Sequence, residues 1–358
     1  MPSRRTLLVS AAAGLAALGY ASWPDMAPYA EAAAQQRHLP APDPELSELV
    51  RMATLAPNGH NTQPWVFHLD GDTISIRPDL SRRTAVVDPD DHHLFTSLGC
   101  AAETLAIAAR AHGHAPEFTR TDDRIDITLG TGRPEPGPLY AAIPARQSTR
   151  APYDGQPLTS DALRQLAAAA GQEGISVEFF TDDRRKEALL DLVVAANSTQ
   201  MEDPAFIAEL RDWLRFTPEE ALGRRDGLFT ASSGNPVLPG WLTRSLFGVL
   251  FTKEAENDKY RSHVRSSAGI AVFTGDAADP EHWIAVGRAY QRFALQATAL
   301  DIRTAHLNQP VEVPRIRDEL AAWMGIPGRR PDLVVRFGHG PTLPMSLRRP
   351  PEAVIRPA

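Results

Sequence analysis

Four short stretches hold the residue types able to bind a polar ligand. The first is Ala56-Pro57-Asn58-Gly59-His60-Asn61-Thr62-Gln63-Pro64-Trp65. Pro57 and Gly59 end a helix, because proline cannot continue one and glycine tolerates positive φ. Asn58, His60, Asn61, Thr62 and Gln63 then set many donors and acceptors at a helix-to-strand junction, while Pro64 removes a backbone donor and Trp65 supplies an apolar anchor. Composition alone is satisfied by an ordinary turn. The sharper reading is a loop that presents amides and carbonyls to a flat polar ligand. The second stretch is Arg146-Gln147-Ser148-Thr149-Arg150. Its arginines and hydroxyls suit a phosphate, since the guanidinium fork pairs with phosphate oxygens and hydroxyls add neutral donors. Taken alone, the same residues also describe a solvated surface turn. The third and fourth stretches are Ser346-Leu347-Arg348-Arg349-Pro350 and Ala305-His306-Leu307-Asn308-Gln309-Pro310.

Other chemistries find less support. Asp88, Asp90, Asp91, His92 and His93 could be read as a metal cluster, but a helix N-cap explains the acids. His112 and His114 flank Gly113 at a helix end, where histidine complements the dipole. The sequence has no H-E-x-x-H, C-x-x-C, G-x-S-x-G or G-x-G-x-x-G context, which argues against a hydrolase or a Rossmann enzyme. A net charge of -7, with arginines interspersed among acids, leaves no electrostatic footprint for nucleic acid. The single cysteine, Cys100, excludes an intrachain disulfide and reads as core. At 358 residues with 43% hydrophobic content, the chain is long enough for about two domains around a sizeable core.

The elements that must position these stretches fall into two related halves. In the first, Glu45 to Leu55 has helical periodicity, Val66–Leu69 and Thr73–Ile76 are strands joined by Asp70-Gly71-Asp72, and Asp90 or Asp91 caps a long apolar helix from His92 to Ala111. Arg124 to Leu129 alternates as a strand, and Thr131 to Pro144 reads as a connection. In the second half, Thr159-Ser160-Asp161 cap a helix to Ala170, Ser176–Phe180 is a strand, Trp283 to Leu300 is a second long helix and Leu333–Phe337 a last buried strand. The long helices align with Gly99 opposite Gly287; glycine weakens a helix by about 1 kcal/mol against alanine, so the pair points to close helix contact. Residues 203–262 have no counterpart in the first half. Their glycines, prolines and large apolar groups, among them Leu228, Phe229, Leu238, Trp241, Leu246 and Phe247, suggest a lid. At the N-terminus, Arg4-Arg5 before the weakly apolar run Leu7–Tyr20 looks like a twin-arginine export signal, with Ala30-Glu31-Ala32 as a cleavage site or an uncleaved anchor as the alternative. Residues before about 40 are therefore expected to stand outside the fold. Export implies a periplasmic or cell-envelope location.

Ala56, Pro57, Asn61, Gln63, Pro64 and Trp65 resemble the A-P-S-x-x-N-x-Q-P-W loop of the nitroreductase flavoproteins, and Arg146, Ser148 and Arg150 resemble that family's R-x-S-x-R. Asn58, Gly59 and His60 depart from the small hydroxyl residues usual there. The resemblance runs from about 45 to 355 and implies an α+β, three-layer fold with a mixed sheet between helical layers. It implies FMN as cofactor, with NAD(P)H as donor and a nitroaromatic or quinone-type small molecule as acceptor. It places Arg146, Gln147, Ser148, Arg150, Arg348 and Arg349 about the phosphate, Asn58, Asn61 and Gln63 beside the ring and ribityl chain, and His306, Leu307 and Asn308 near flavin N5. No side chain need act as acid or base, because the flavin carries the chemistry. The polar loop occurs only in the first half and R-x-S-x-R only in the second, which fits a fused, monomeric pseudo-dimer with one FMN per chain, most like the Acg branch. The domains implied are a signal or tail over 1–40, a first half over 41–140 and a second over 141–358. The alternative functions are an FMN storage protein whose flavin is covered, and an exported protein that kept the fold and lost the cofactor.

Overall fold

The computed structural model describes residues 23–121, 124–242 and 251–357. The paired arginines Arg4 and Arg5, the run to Tyr20, and Leu246 and Phe247 lie outside the described residues.

The first half contains α1 (Ala27–Gln36), α2 (Leu46–Thr54), β1 (Trp65–Asp70), β2 (Thr73–Pro78), α3 (His92–Ala111), β3 (His114–Thr121), β4 (Arg124–Thr131) and α4 (Pro138–Ala142). The second begins with α5 (Ser160–Ala170), β5 (Ile175–Phe180), α6 (Asp183–Met201), α7 (Pro204–Trp213), β6 (Leu214–Arg215), α8 (Pro218–Arg224), β7 (Leu228–Phe229) and α9 (Lys253–Arg265). It continues with β8 (Gly269–Gly275), α10 (Pro280–Ala299), β9 (Arg303–His306), α11 (Gln309–Glu312), α12 (Pro314–Trp323), β10 (Pro331–Gly338), α13 (Pro351–Val354) and β11 (Ile355–Arg356).

The α+β class stands, with the strands divided between two main sheets, one per half. Their orders are β11-β1-β2-β4-β3 and β5-β8-β10-β9. Without β11 the two orders correspond strand for strand, with α3 and α10 in equivalent places. β11 joins β1 in parallel, so the end of the chain completes the sheet of the first half and makes it mixed. β8 and β10 are buried along their whole length because α10 covers one face and α6 and α12 the other.

α3 and α10 cross at the centre of a core shared by both halves. The crossing is reciprocal. A Cβ on Gly99 would meet the Ile284 carbonyl oxygen at 2.1 Å, and one on Gly287 would meet that of Thr96 at 2.0 Å. Each partner lies three residues before the opposite glycine, as a local two-fold axis requires.

Several expectations need correction. Asp91 takes the N-cap position of α3 but its side chain makes no cap bond; Asp88 supplies the acceptors instead, for the His93 and Leu94 amides at 3.0 Å each. No group of three or more potential metal ligands is assembled among the described residues. β3 was not expected; it is an edge strand, where Pro116 and largely exposed side chains weaken the sequence signal. The segment without a first-half counterpart runs over 181–268, longer than 203–262, and stands where Gly71 and Asp72 turn β1 into β2. Residues 27–37 belong to the fold. Tyr29 is 1% exposed and donates to the Met345 carbonyl, so a cut at Ala30–Ala32 would fall inside a packed helix. Among the described residues no helix is long and apolar enough to cross a membrane.

Candidate functional site

A cavity of about 370 Å³ opens at the α3–α10 crossing, within the range of small-molecule sites. Cys100 and Tyr290 form its floor, the loop Pro57–His60 one wall, and Ala305–Gln309 another. The 181–268 segment roofs it with Phe206, Leu210, Leu214, Phe216 and Leu228. Both halves and the long insertion thus meet around one space.

The loop after α2 is held in unusual backbone conformations. His60, Asn61 and Gln63 take φ of 47°, 54° and 54°. Non-glycine residues occupy this region at a cost, and persist there when surrounding contacts fix them. Those contacts are present. Asn61 Nδ2 donates to the carbonyls of Gly227 (3.0 Å) and Leu347 (3.1 Å), and Gln63 Nε2 to that of Arg225 (2.8 Å). Gln63 Oε1 accepts from the Arg349 amide at 2.7 Å. Asn61 and Gln63 therefore tie the loop to the insertion and the C-terminal segment, whereas Asn58, Gly59 and His60 line the cavity.

The arginines divide in the same way. Arg348 donates through Nε to Thr54 O (2.7 Å), through Nη2 to Ala56 O (3.3 Å) and through Nη1 to Asn61 Oδ1 (2.8 Å). Arg146 Nη2 donates to Leu55 O at 2.9 Å. The last carbonyls of a helix lack intrahelical partners and form the negative end of its dipole, so these two guanidinium groups cap α2. Burial lowers both pKa values, and Arg37 beside them lowers that of Arg348 further. Arg349 bonds to Ala353 O, and Gln147 to Leu343 O (2.6 Å). The Ser148 backbone bridges to Thr304. None of these five residues lines the cavity. Of R-x-S-x-R, only Arg150 does. Its guanidinium has no carboxylate and no hydrogen-bond partner among the described residues, and burial lowers its pKa.

His306, Leu307 and Asn308 all line the cavity, but the Leu307 amide donates to Val334 O at 2.7 Å and the Asn308 side chain accepts from Val334 N at 3.1 Å. The hydrogen-bonding capacity of this wall is partly consumed by β10.

The sequence did not single out His93, Gln200, Tyr260, His263, Tyr290, Glu312 or Arg336 as cavity residues. Only Arg336 left a signal, as an arginine inside an otherwise apolar strand; it is 1% exposed and bonded to the Thr149 and Ala151 carbonyls. Gln200, Tyr260 and His263 come from the insertion, His93 and Tyr290 from the two long helices, and Glu312 from α11. Burial drives three histidines of the wall toward neutrality: His60 to about 4, His263 to about 3 and His306 to about 3, with Arg150 lowering each further. His93 is the exception. Burial opposes its charge, but Glu312 at 3.3 Å raises its pKa above the usual value. Cys100 is buried and its thiol is pushed up by desolvation, so it is unreactive.

Over 343 residues the chain is 25% identical to a Mycobacterium tuberculosis protein named as a candidate NAD(P)H nitroreductase, covering 90% of this chain and 94% of the relative. Another M. tuberculosis candidate NAD(P)H nitroreductase, Acg, is 24% identical over 327 residues, with 87% and 95% covered. The chain is similar to both along nearly its whole length. Among solved structures, the FMN-dependent nitroreductase NfnB of Mycobacterium smegmatis in complex with NADPH aligns at a TM-score of 0.40 with 15% identity, covering 57% of this chain and 87% of that one. The NADPH:FMN oxidoreductase of Vibrio harveyi complexed with NAD+ aligns at 0.36 with 12% identity, covering 60% and 73%. No family model matches the chain.

Proposed function

We propose that the chain is an FMN-dependent oxidoreductase that takes reducing equivalents from NAD(P)H, with one FMN held in the cavity where its two halves meet. The observation that carries this is Arg150, a cation without an acid partner among the described residues, on the wall of a cavity of about 370 Å³. An anionic ligand of flavin mononucleotide size fits that donor set: Arg150 for the phosphate, Asn58 and the 57–60 backbone for the polar edge of the ring, Leu307 and Tyr290 for apolar contact. FMN, when bound, supplies hydride chemistry toward a nitroaromatic or quinone-type acceptor. The protein's part is to orient the ring, exclude water beneath the insertion and keep His60, His263 and His306 neutral. The names of the mycobacterial relatives support the same reading.

The test is direct. Purified protein is denatured and the released FMN quantified; one per chain is expected, and none after reconstitution refutes the proposal. Charge-assisted bonds contribute roughly 1.5–3 kcal/mol, so Arg150→Ala should weaken FMN binding by about tenfold or more while sparing riboflavin.

The roof of Phe206, Leu210 and Phe216 favours a second reading, in which the flavin is stored and turns over slowly. Widening the mouth with Phe206→Ala and Leu210→Ala then speeds reduction by NADPH several-fold. On the enzyme reading the rate is unchanged. We also propose export of the folded, loaded protein by the twin-arginine route, as a monomeric pseudo-dimer. Replacing Arg4 and Arg5 with lysine and following the protein in cell fractions tests the first part, and light scattering the second.

A further inference from the structure

Among the ion pairs that line the cavity, His93–Glu312 joins separate elements of the fold and is not used by the flavin reading. His93 sits on the first turn of α3, and its Nε2 lies 3.3 Å from Glu312 Oε1. Glu312, on α11, is fixed from a third element, accepting from Gln200 Nε2 of α6 at 2.7 Å. Both residues are mostly buried, their side chains 12% and 15% exposed, and both line the cavity. His93 Nδ1 has no hydrogen-bond partner among the described residues. The geometry is that of an imidazole held at one nitrogen and open at the other.

We propose that His93, held by Glu312, delivers the proton that completes reduction of the acceptor in this cavity. This rests on the flavin reading above. Two-electron reduction of a quinone takes a hydride, originating from the nicotinamide donor, and a proton. The His93 Nδ1–H bond breaks, an O–H bond forms on the quinone oxygen, and the hydroquinone leaves. The neutral imidazole stays hydrogen-bonded to Glu312 and recovers a proton from water at the mouth. A nitroaromatic uses the same hydride and proton to give the nitroso compound and water.

The charges around His93 favour this role. Glu312 and Asp88 hold it protonated, while Arg330 and its own burial oppose that. Asp332 lies near enough to interact with it. The other imidazoles about it, His60, His92 and His306, are all pushed toward the neutral form by burial. Of the imidazoles that line the cavity, His60, His263 and His306 are pushed toward the neutral form and His93 is shifted the other way, the separation of roles that acid catalysis requires.

Stopped-flow measurements on the FMN-loaded protein separate the steps. In His93→Gln, bleaching by NADPH and reoxidation by ferricyanide, which takes electrons without protons, are expected to stay within about twofold. Reoxidation by a benzoquinone should slow by about a hundredfold, the usual size of a general-acid effect. Glu312→Gln, which retains an amide able to meet Gln200, should move the pH profile of quinone reduction to lower pH. It should also lower the His93 pKa read by NMR titration of histidine-labelled protein, a measurement that needs no turnover. Flavin that binds and bleaches normally, with quinone reduction unchanged in both variants, overturns the proposal alone. Absence of bound FMN overturns the flavin reading and the proposal with it.

Discussion

Substituting Gly99 by alanine tests the crossing on which the whole site is built. The new Cβ would lie 2.1 Å from the Ile284 carbonyl oxygen, which is backbone and has no rotamer to yield. An ordinary contact needs more than 3 Å, so α3 and α10 must separate by about 1 Å, and close-packed interiors lose dispersion energy steeply over such gaps. Overpacking costs about 1–3 kcal/mol and more where backbone must move, whereas alanine returns about 1 kcal/mol of helix propensity. The net expectation is a loss of about 2 kcal/mol or more, seen as a lower urea midpoint and a melting temperature reduced by about 4 °C. Gly287→Ala should do the same, since its Cβ would meet Thr96 O at 2.0 Å. Because one separation relieves both clashes, the double variant should lose less than the sum. FMN affinity should fall as well, because Cys100 and Tyr290 at this crossing form the cavity floor. A Gly99→Ala protein as stable as the parent, or strict additivity in the double variant, would refute the reciprocal crossing.

Further outcomes follow from the same geometry. Arg348→Met leaves carbonyls at the end of α2 without donors, each worth about 1–3 kcal/mol when buried and unpaired, and should destabilise more than Arg349→Met; thermal melting compares the two. Stability should fall as pH drops below about 6.5, because His60, His263 and His306 have folded values depressed below the unfolded one and the unfolded chain then binds more protons. At pH 5 the loss is about 2 kcal/mol for buried His263 and less for the more open His60 and His306, at about 1.4 kcal/mol per unit. His93 works the other way, its contribution being complete below 6.5 and lost as pH rises through its raised value. A urea midpoint unchanged between pH 7 and pH 5 contradicts the neutral histidines, and Arg150→Met should soften the acid loss because Arg150 depresses all three. Asn61→Ala removes one bond to the insertion and two to the C-terminal segment and should raise protease cleavage near Gly227, as read by mass spectrometry of the fragments.

The sequence by itself determined the duplication and the glycine contact of the long helices, while the α+β class came with the resemblance of its loop motifs. The first two are local matters: period, capping and the cost of glycine within a helix are written in adjacent residues. It also located the polar loop and the basic stretches. It did not determine which of their donors face a ligand. Arg146, Arg348, Asn61 and Gln63 have the chemistry of binding residues, yet the fold directs them to the carbonyls of α2, the insertion and the tail. A buried helix end must be satisfied by whatever donors lie nearest in space, and that neighbourhood is set by residues almost three hundred positions away in the chain, as for Arg348 and Thr54. Arg150 is left to the cavity because, among the described residues, no carboxylate or carbonyl reaches it. The pairing of His93 with Glu312 likewise exists only once α3, α6 and α11 are brought together, since neither residue lies in a pattern that marks the other.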